Sequence, residues 1–187
     1  MTKKLLERYN INTPLKRLDA NTEGKWADEM GALFEGTRRA AHVSDAGTPA
    51  VSDPGGRLVH AAREMGIEVV AIPGASALTA ALSIAGLSEA DFVFLGFLPH
   101  KKGRETLFKK IAENKRTTVF YESPHRILKT LASLEEHINE ERIVIIAREL
   151  TKMYEEVLEG TARELLSKLE QNPEKQKGEF VVLVTGK

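Results

Sequence analysis

Apolar residues along the chain gather in short runs, and the runs alternate with stretches of helical spacing, the pattern of an α/β protein. Strands are predicted at 40–43, 67–72, 92–97, 117–121, 142–147, 154–158 and 179–184. Several are continuous rather than alternating (IEVVAI, FVFLGF, RIVIIA, FVVLV), which suits central strands of a parallel sheet covered on both faces by helices. Trp26, Met30, Leu33 and Phe34 recur at helical spacing, as do Leu58, Ala61, Ala62 and Met65. Gly66 and Gly86 stand where helix C-caps are expected. Glu122, Ser123 and Pro124 read as a strand-to-helix turn, with proline at the first helical position and Ile127, Leu128, Leu131 and Leu134 as the buried stripe. The run FLPHKKGR, from Phe97 to Arg104, leaves a strand through proline and glycine into a charged helix. It places a domain boundary between 97 and 98, giving domains 1–97 and 98–187.

Composition narrows the class. A length of 187 residues fits one ordinary domain or two small ones. An apolar fraction of 42% with 29% charged residues excludes wholesale disorder. The apolar runs are too short to span a bilayer, and MTKKLLERYN has no signal-like apolar core. A cytoplasmic location without membrane attachment is therefore expected. The absence of cysteine removes disulfides, thiolate metal sites and a cysteine nucleophile, and the scattered histidines predict no metal site. Twenty-seven basic residues balance 27 acidic ones, so no global basic field exists to coat a nucleic acid.

Candidate chemistry lies in the loops at strand ends, where open α/β sheets bind ligands. The stretch 43–56, VSDAGTPAVSDPGG, packs glycines, prolines, aspartates and hydroxyl residues into a rigid polar loop whose backbone can approach a ligand closely. Asp45 is placed to accept hydrogen bonds from ligand hydroxyl or amine groups. Ser52 or Asp53 is expected instead to cap the next helix, with Pro54 in its first turn. A second loop, 72–76 (IPGAS), and a third, 120–126 (FYESPHR), also join strands to helices. After the strand at 142–147 come Arg148, Glu149 and Lys152, whose simplest reading is mutual salt bridging, and Gly178 permits close backbone approach before the last strand.

Motifs of other chemistries are missing: no GxGxxG after a strand, no Walker sequence, no HExxH and no GxSxG. Such a set suits a reaction in which a bound reagent is already activated and the protein positions it. Charge is uneven despite the neutral total. Residues 100–116 hold seven Lys or Arg against two Glu, and residues 1–18 hold five basic residues against Glu7 alone. Patches of this kind can grip phosphates, although a solvated helix face has the same composition.

Taken in order, VSDAGTPAVSDPG, IPGASALTAALSIAGL, GFLPHKKGR, FYESPHRILKTL, ARELTKMYEEVLEGT and KGEFVVLV resemble the ribosomal RNA small subunit methyltransferase I family through nearly the whole chain. The resemblance implies a tetrapyrrole methylase-like fold of two α/β domains with the cofactor in the cleft between them. It implies S-adenosylmethionine as cofactor, 2'-O-methylation of a cytidine of 16S rRNA in the small ribosomal subunit, and a homodimer. By position, the cofactor site comprises Asp45, Gly47, Thr48, Pro49, Ala75, Ser76, Phe120, Tyr121, Ala147, Arg148, Glu179 and Phe180. Glu122, Arg148, Glu149 and Lys152 are the catalytic candidates, and Lys101, Lys102, Arg104, Lys109 and Lys110 the RNA-binding ones.

Family members begin with a strand and loop of the type ATPIGNL, then a helix, a strand and an EDTR segment, and carry a C-terminal extension. This sequence resembles the middle of such an enzyme, with a first domain lacking its N-terminal strand or strands. A sheet so shortened exposes an edge, and self-association is expected to cover it. Two alternatives stand beside the RNA methyltransferase: a non-catalytic remnant that keeps part of the cofactor cleft, and a precorrin-type tetrapyrrole methylase.

Overall fold

A computed structural model describes residues 2–34, 39–88 and 91–187. The chain divides into two compact units, Met1–Ser76 and Ala77–Lys187.

Among its described residues the first unit is helical: α1 (Thr2–Arg8), α2 (Glu23–Asp28), α3 (Met30–Leu33) and α4 (Gly56–Glu64). Met30 and Ala62 are buried there, on the expected stripes. Helix α4 ends where Gly66, at φ +70°, lets its N–H reach the Arg63 carbonyl while the Ile67 N–H reaches Ala62, a closed C-terminal turn that a β-carbon would disfavour. The strands expected at 40–43 and 67–72 do not form; both segments run without regular structure. A strand requires a partner along its edge, and these segments have no ladder partner among the described residues. Their side chains are accordingly open: Val69 is 41% exposed, Val70 67% and Ile72 84%.

The second unit is a three-layer α/β structure. It runs α5 (Ala77–Ile84), β1 (Phe92–Phe97), α6 (Arg104–Glu113), β2 (Thr117–Glu122), α7 (Ile127–His137), β3 (Val144–Arg148), β4 (Glu156–Gly160), α8 (Ala162–Gln171), a short 3-10 turn (Pro173–Gln176) and β5 (Phe180–Val184). The strand order is β1-β2-β5-β3-β4. Only β1 and β2 are parallel; the other neighbours are antiparallel. The sheet is thus mixed, where a parallel one was expected. The continuous apolar runs reflect two covered faces rather than strand direction. On one face α6, α7 and α8 bury Phe108, Ile127, Leu131, Leu134 and Leu165 against Phe120, Ile146 and Val182. On the other, Ala81 of α5 and Ala85 just after it pack on Val119, Ile145, Ala147 and Leu183.

The segment FVFLGF pairs with β2 and so belongs to the second unit, upstream of the expected 97/98 seam. Helix α7 starts at Ile127, three residues after Pro124, because Ser123 carbonyl closes a turn by accepting from both Arg126 and Ile127 N–H. A capping box opens α8: Thr161 Oγ1 accepts from the Glu164 N–H at 3.2 Å, and the Glu164 carboxylate accepts from the Thr161 N–H at 2.8 Å.

Candidate functional site

The candidate residues fall into one group in each unit. In the first, the loop 44–56 is wound tightly, with Gly47, Ala50, Ser52 and Gly55 all at positive φ. Ala50 and Ser52 carry side chains in this region, each at a cost of about 1–3 kcal/mol that surrounding contacts must offset. Ser44 Oγ donates to the carbonyls of Ala46 and Gly47, at 2.9 and 3.2 Å. Thr48 Oγ1 donates to Ala75 carbonyl at 3.5 Å, joining the two loops that hold Asp45, Gly47, Thr48 and Pro49 on one side and Ala75 and Ser76 on the other. Asp45, Gly47, Thr48 and Ala75 are exposed, and Gly47 has open space where a β-carbon would sit.

The cap of α4 differs from expectation. Neither Ser52 nor Asp53 supplies it: Gly55 occupies the cap position, and the Glu23 carboxylate accepts from the Gly55 and Arg57 N–H groups at 2.9 and 2.8 Å. The Arg57 amide, then the Gly55 amide, hold the Glu23 carboxyl below its ordinary pKa. The partner stands 32 residues away in sequence, so no local pattern announces it.

In the second unit, the C-terminal ends of β1, β2 and β3 meet the N-terminal ends of β4 and β5 at one end of the sheet. Register aligns Phe97, Tyr121, Val181, Ala147 and Val157 as one row. Tyr121 and Ala147 lie on the α5 face with Val181. Phe120 and Phe180, one residue out of phase with Tyr121 and Val181, point into the opposite core and are essentially inaccessible. The pleat separates these neighbours, so Phe120 and Phe180 present only backbone to a ligand on the α5 face.

The next row outward is Glu122, Phe180, Arg148 and Glu156. Glu122 is 1% exposed. Its Oε1 accepts from the Ser123 N–H at 2.8 Å and pairs with Arg126 Nε at 3.2 Å. Its Oε2 accepts from Thr130 Oγ1 at 2.6 Å, and Thr130 accepts from Arg104 Nη2 at 2.7 Å. Arg126 also donates to Leu98 carbonyl at 2.7 Å. Glu122 therefore fastens β2 to α6, α7 and the chain after β1, with both oxygens engaged. Thr130 is the member that pattern reading missed, although a polar residue on the Ile127–Leu131–Leu134 stripe is the mark of a buried partner.

Arg148 is likewise enclosed. It donates from Nε to Lys177 carbonyl at 2.8 Å, from Nη1 to Tyr154 carbonyl at 3.2 Å and from Nη2 to Glu174 carbonyl at 3.1 Å. Glu149 and Lys152 are more open. Lys152 Nζ bridges Glu149 Oε1 and Glu179 Oε2, each at 2.9 Å, and Glu149 Oε1 also accepts from the Glu179 N–H at 2.9 Å. The Lys152 hydrogen bond lowers the Glu149 pKa, and the bond to Glu149 raises that of Lys152. At neutral pH this pair is a carboxylate and an ammonium. Gly178, at φ +100°, passes so close that a β-carbon would lie 2.4 Å from Glu149 Cγ, the close approach anticipated from the sequence.

Of the basic candidates, Lys101, Lys102, Lys109 and Lys110 are exposed, with Lys109 3.6 Å from Glu105. Arg104 is not on that face. It is 8% exposed, turned toward Thr130 and Glu122, because the first turn of α6 points it inward. Among the described residues, no group of three or more His, Asp or Glu is placed to hold a metal ion.

The profile of the Tetrapyrrole (Corrin/Porphyrin) Methylases family matches residues 2–166. Proteins named ribosomal RNA small subunit methyltransferase I share 44% identity with the chain in Xylella fastidiosa, 42% in Haemophilus influenzae and 41% in Thermotoga maritima, over 98–99% of its length. The chain belongs to the tetrapyrrole methylase family, in the ribosomal RNA small subunit methyltransferase I group. It spans 68%, 65% and 81% of the length of those three relatives. The methyltransferase CobJ matches the fold with a TM-score of 0.63 at 23% identity, covering 91% of this chain and 72% of CobJ. Cobalt precorrin-4 methyltransferase CbiF matches with a TM-score of 0.58 at 15% identity, covering 96% of this chain and 78% of CbiF. These two show a shared methylase fold.

Proposed function

We propose that the chain is an S-adenosylmethionine-dependent methyltransferase of small-subunit ribosomal RNA that modifies the ribose 2'-oxygen of a cytidine in 16S rRNA. The observation that carries this reading is the 41–44% identity, over 98–99% of the chain, with relatives named for that rRNA. The residues present fit the cofactor. In the first unit, Asp45 and the open backbone at Gly47 suit a nucleoside's hydroxyl and amine groups; in the second, the partly exposed Tyr121 ring offers an apolar surface.

When bound, the cofactor supplies a methyl group activated by its sulfonium. The chain's task is then to orient a 2'-hydroxyl, a weak nucleophile, in line with that methyl and to ease loss of its proton. Lys152, held protonated, is the cation that stabilises developing charge on that oxygen. Glu149, held ionised beside it, takes the hydroxyl proton as the new C–O bond forms and releases it to water. Glu122 and Arg148 keep the sheet end rigid around them. Lys101, Lys102, Lys109 and Lys110 hold RNA phosphates.

Calorimetric titration with S-adenosylmethionine should show saturable binding, weakened in Y121A and retained in Y121F. No binding by the unsubstituted chain contradicts the proposal. A second reading, cofactor binding without transfer, is favoured by the runs 40–43 and 67–72, which form no strand, so that among the described residues the first-unit loops have no sheet beneath them. It predicts normal titration but no methylation of small subunits, whereas methylation of a precorrin and not of RNA would point to a tetrapyrrole substrate.

A homodimer in the cytoplasm completes the proposal. Among the described residues no helix is long and apolar enough to cross a membrane. Val69, Val70 and Ile72 are exposed apolar side chains close together in sequence that association would cover. Light scattering should give a dimer mass at micromolar concentration; a monomer there contradicts it.

A further inference from the structure

Strand β1 is an edge strand, and it carries an arrangement that the family resemblance does not invoke. The register of β1 against β2 is regular from Phe92 to Phe94 and shifts before Phe97 pairs with Tyr121. Gly96, at φ +63°, lies in that irregularity. In an uninterrupted strand, residues three apart face opposite sides. The bulge cancels that alternation, so Phe94 and Phe97 both reach Tyr121, with ring centroids at 5.0 and 5.4 Å. Phe94 is half-buried behind Tyr121, whereas Phe97 remains 57% exposed. The Phe97 ring rests against Tyr121, which Phe94 braces in turn, so it has lost conformational freedom without gaining full burial.

The surroundings indicate what covers it. His100, Lys101 and Lys102 follow Phe97 within five residues and are all exposed. An extended chain advances at most about 3.5 Å per residue, so the Lys102 backbone lies no more than about 18 Å from that of Phe97, within one short stretch of single strand. A fixed aromatic face beside exposed cations is the combination that binds single-stranded nucleic acid, the ring stacking on a base and the cations taking the phosphates. An apolar protein partner would gain nothing from that charge.

We propose that Phe97, backed by Tyr121 and Phe94, is a base-stacking platform for a single-stranded nucleotide of the RNA substrate, with Lys101 and Lys102 on the adjoining phosphates. The proposal rests on the RNA-methyltransferase reading and names where on the second unit the RNA lies. Because Tyr121 also belongs to the cofactor edge, a nucleotide stacked on Phe97 lies next to the site of transfer.

The test is binding of a fluorescein-labelled single-stranded RNA dodecamer to the full chain, without cofactor, followed by anisotropy. F97A should weaken binding about 5- to 100-fold, the range seen when one stacking residue is truncated. F97L, which keeps apolar volume without a π face, should lose a similar amount, and F97W should bind as well as the parent. F97W should also show tryptophan emission quenched by RNA beyond any change the parent shows from Trp26. K101Q/K102Q should flatten the salt dependence, while F97A leaves that slope unchanged. Parent-like binding by F97A or by F97L overturns the platform while leaving the RNA reading intact. A parent chain that binds no RNA overturns both. A change in molecular mass on F97A substitution, with RNA affinity unaltered, assigns the patch to a protein contact and overturns the proposal.

Discussion

Removing the Glu122 carboxylate would leave Arg104 and Arg126 as buried guanidinium groups without a counter-charge. Burial already lowers the Arg104 pKa, and repulsion from Arg126 adds to that, with Glu122 opposing both. E122A should therefore destabilise the second unit by about 3–5 kcal/mol, the usual consequence of breaking a buried pair from one side. Urea unfolding followed by far-ultraviolet circular dichroism checks this; a loss under about 1 kcal/mol would mean the cluster is not the scaffold described. A strand-end acid followed by a His-Arg pair reads in sequence as either chemistry or architecture. What separates the two is whether water reaches the side chain, and that depends on Thr130 and Arg104, which come from two different helices. Arg148 is ambiguous for the same reason, since its hydrogen-bond partners are main-chain carbonyls that any residue could supply and its ion-pair partner, Glu156, comes from the next strand. Gly178 was legible because glycine itself marks a positive-φ position and a close approach, although the group approached, Glu149, lies far away in sequence.

Helices α6 and α7 are tied by His137, whose Nε2 lies 3.0 Å from Glu105 Oε1 while Nδ1 lies 2.8 Å from Ser133 carbonyl. The bond to Glu105 is the main cause of a raised His137 pKa, against the opposing effect of burial. A group whose pKa rises on folding contributes stability that is complete below its unfolded value, about 6.5 for histidine, and is lost as pH climbs through the folded value. The stability difference between the parent and H137Q should thus be larger at about pH 5.5 than at about pH 8.5. Equal differences at the two values, from paired denaturant titrations, would contradict the tie. At this scale the second unit was read closely: all five strands lie within a residue or two of expectation. Arg142 explains one early start, since it turns inward to the Ile111 and Ala112 carbonyls before β3 begins at Val144. The runs 40–43 and 67–72 were misread because composition records a segment's capacity to be a strand, whereas pairing requires a neighbour.

Across the whole molecule, the neutral total conceals a division of labour. The first unit contributes a wound, polar loop pair joined by Thr48 and Ala75. The second contributes a sheet end whose two faces differ, with a buried ionic lattice on one side and, on the other, the exposed Phe97 ring against a half-buried Tyr121. Motif order revealed the family from sequence, because six loops in register constrain identity more tightly than any one of them. It could not reveal which side chains in those loops reach a ligand, since neighbours such as Phe120 and Tyr121 are sent to opposite faces by the pleat. The central proposal is transfer of a methyl group to a ribose 2'-oxygen. Its most direct test is to label small ribosomal subunits with the chain and methyl-tritiated S-adenosylmethionine, then digest the RNA with alkali. Methylation of a 2'-hydroxyl blocks cleavage at that nucleotide, so the predicted result is radioactivity in an alkali-resistant dinucleotide that begins with cytidine. Label released in mononucleotides, or no label in RNA at all, would contradict the account.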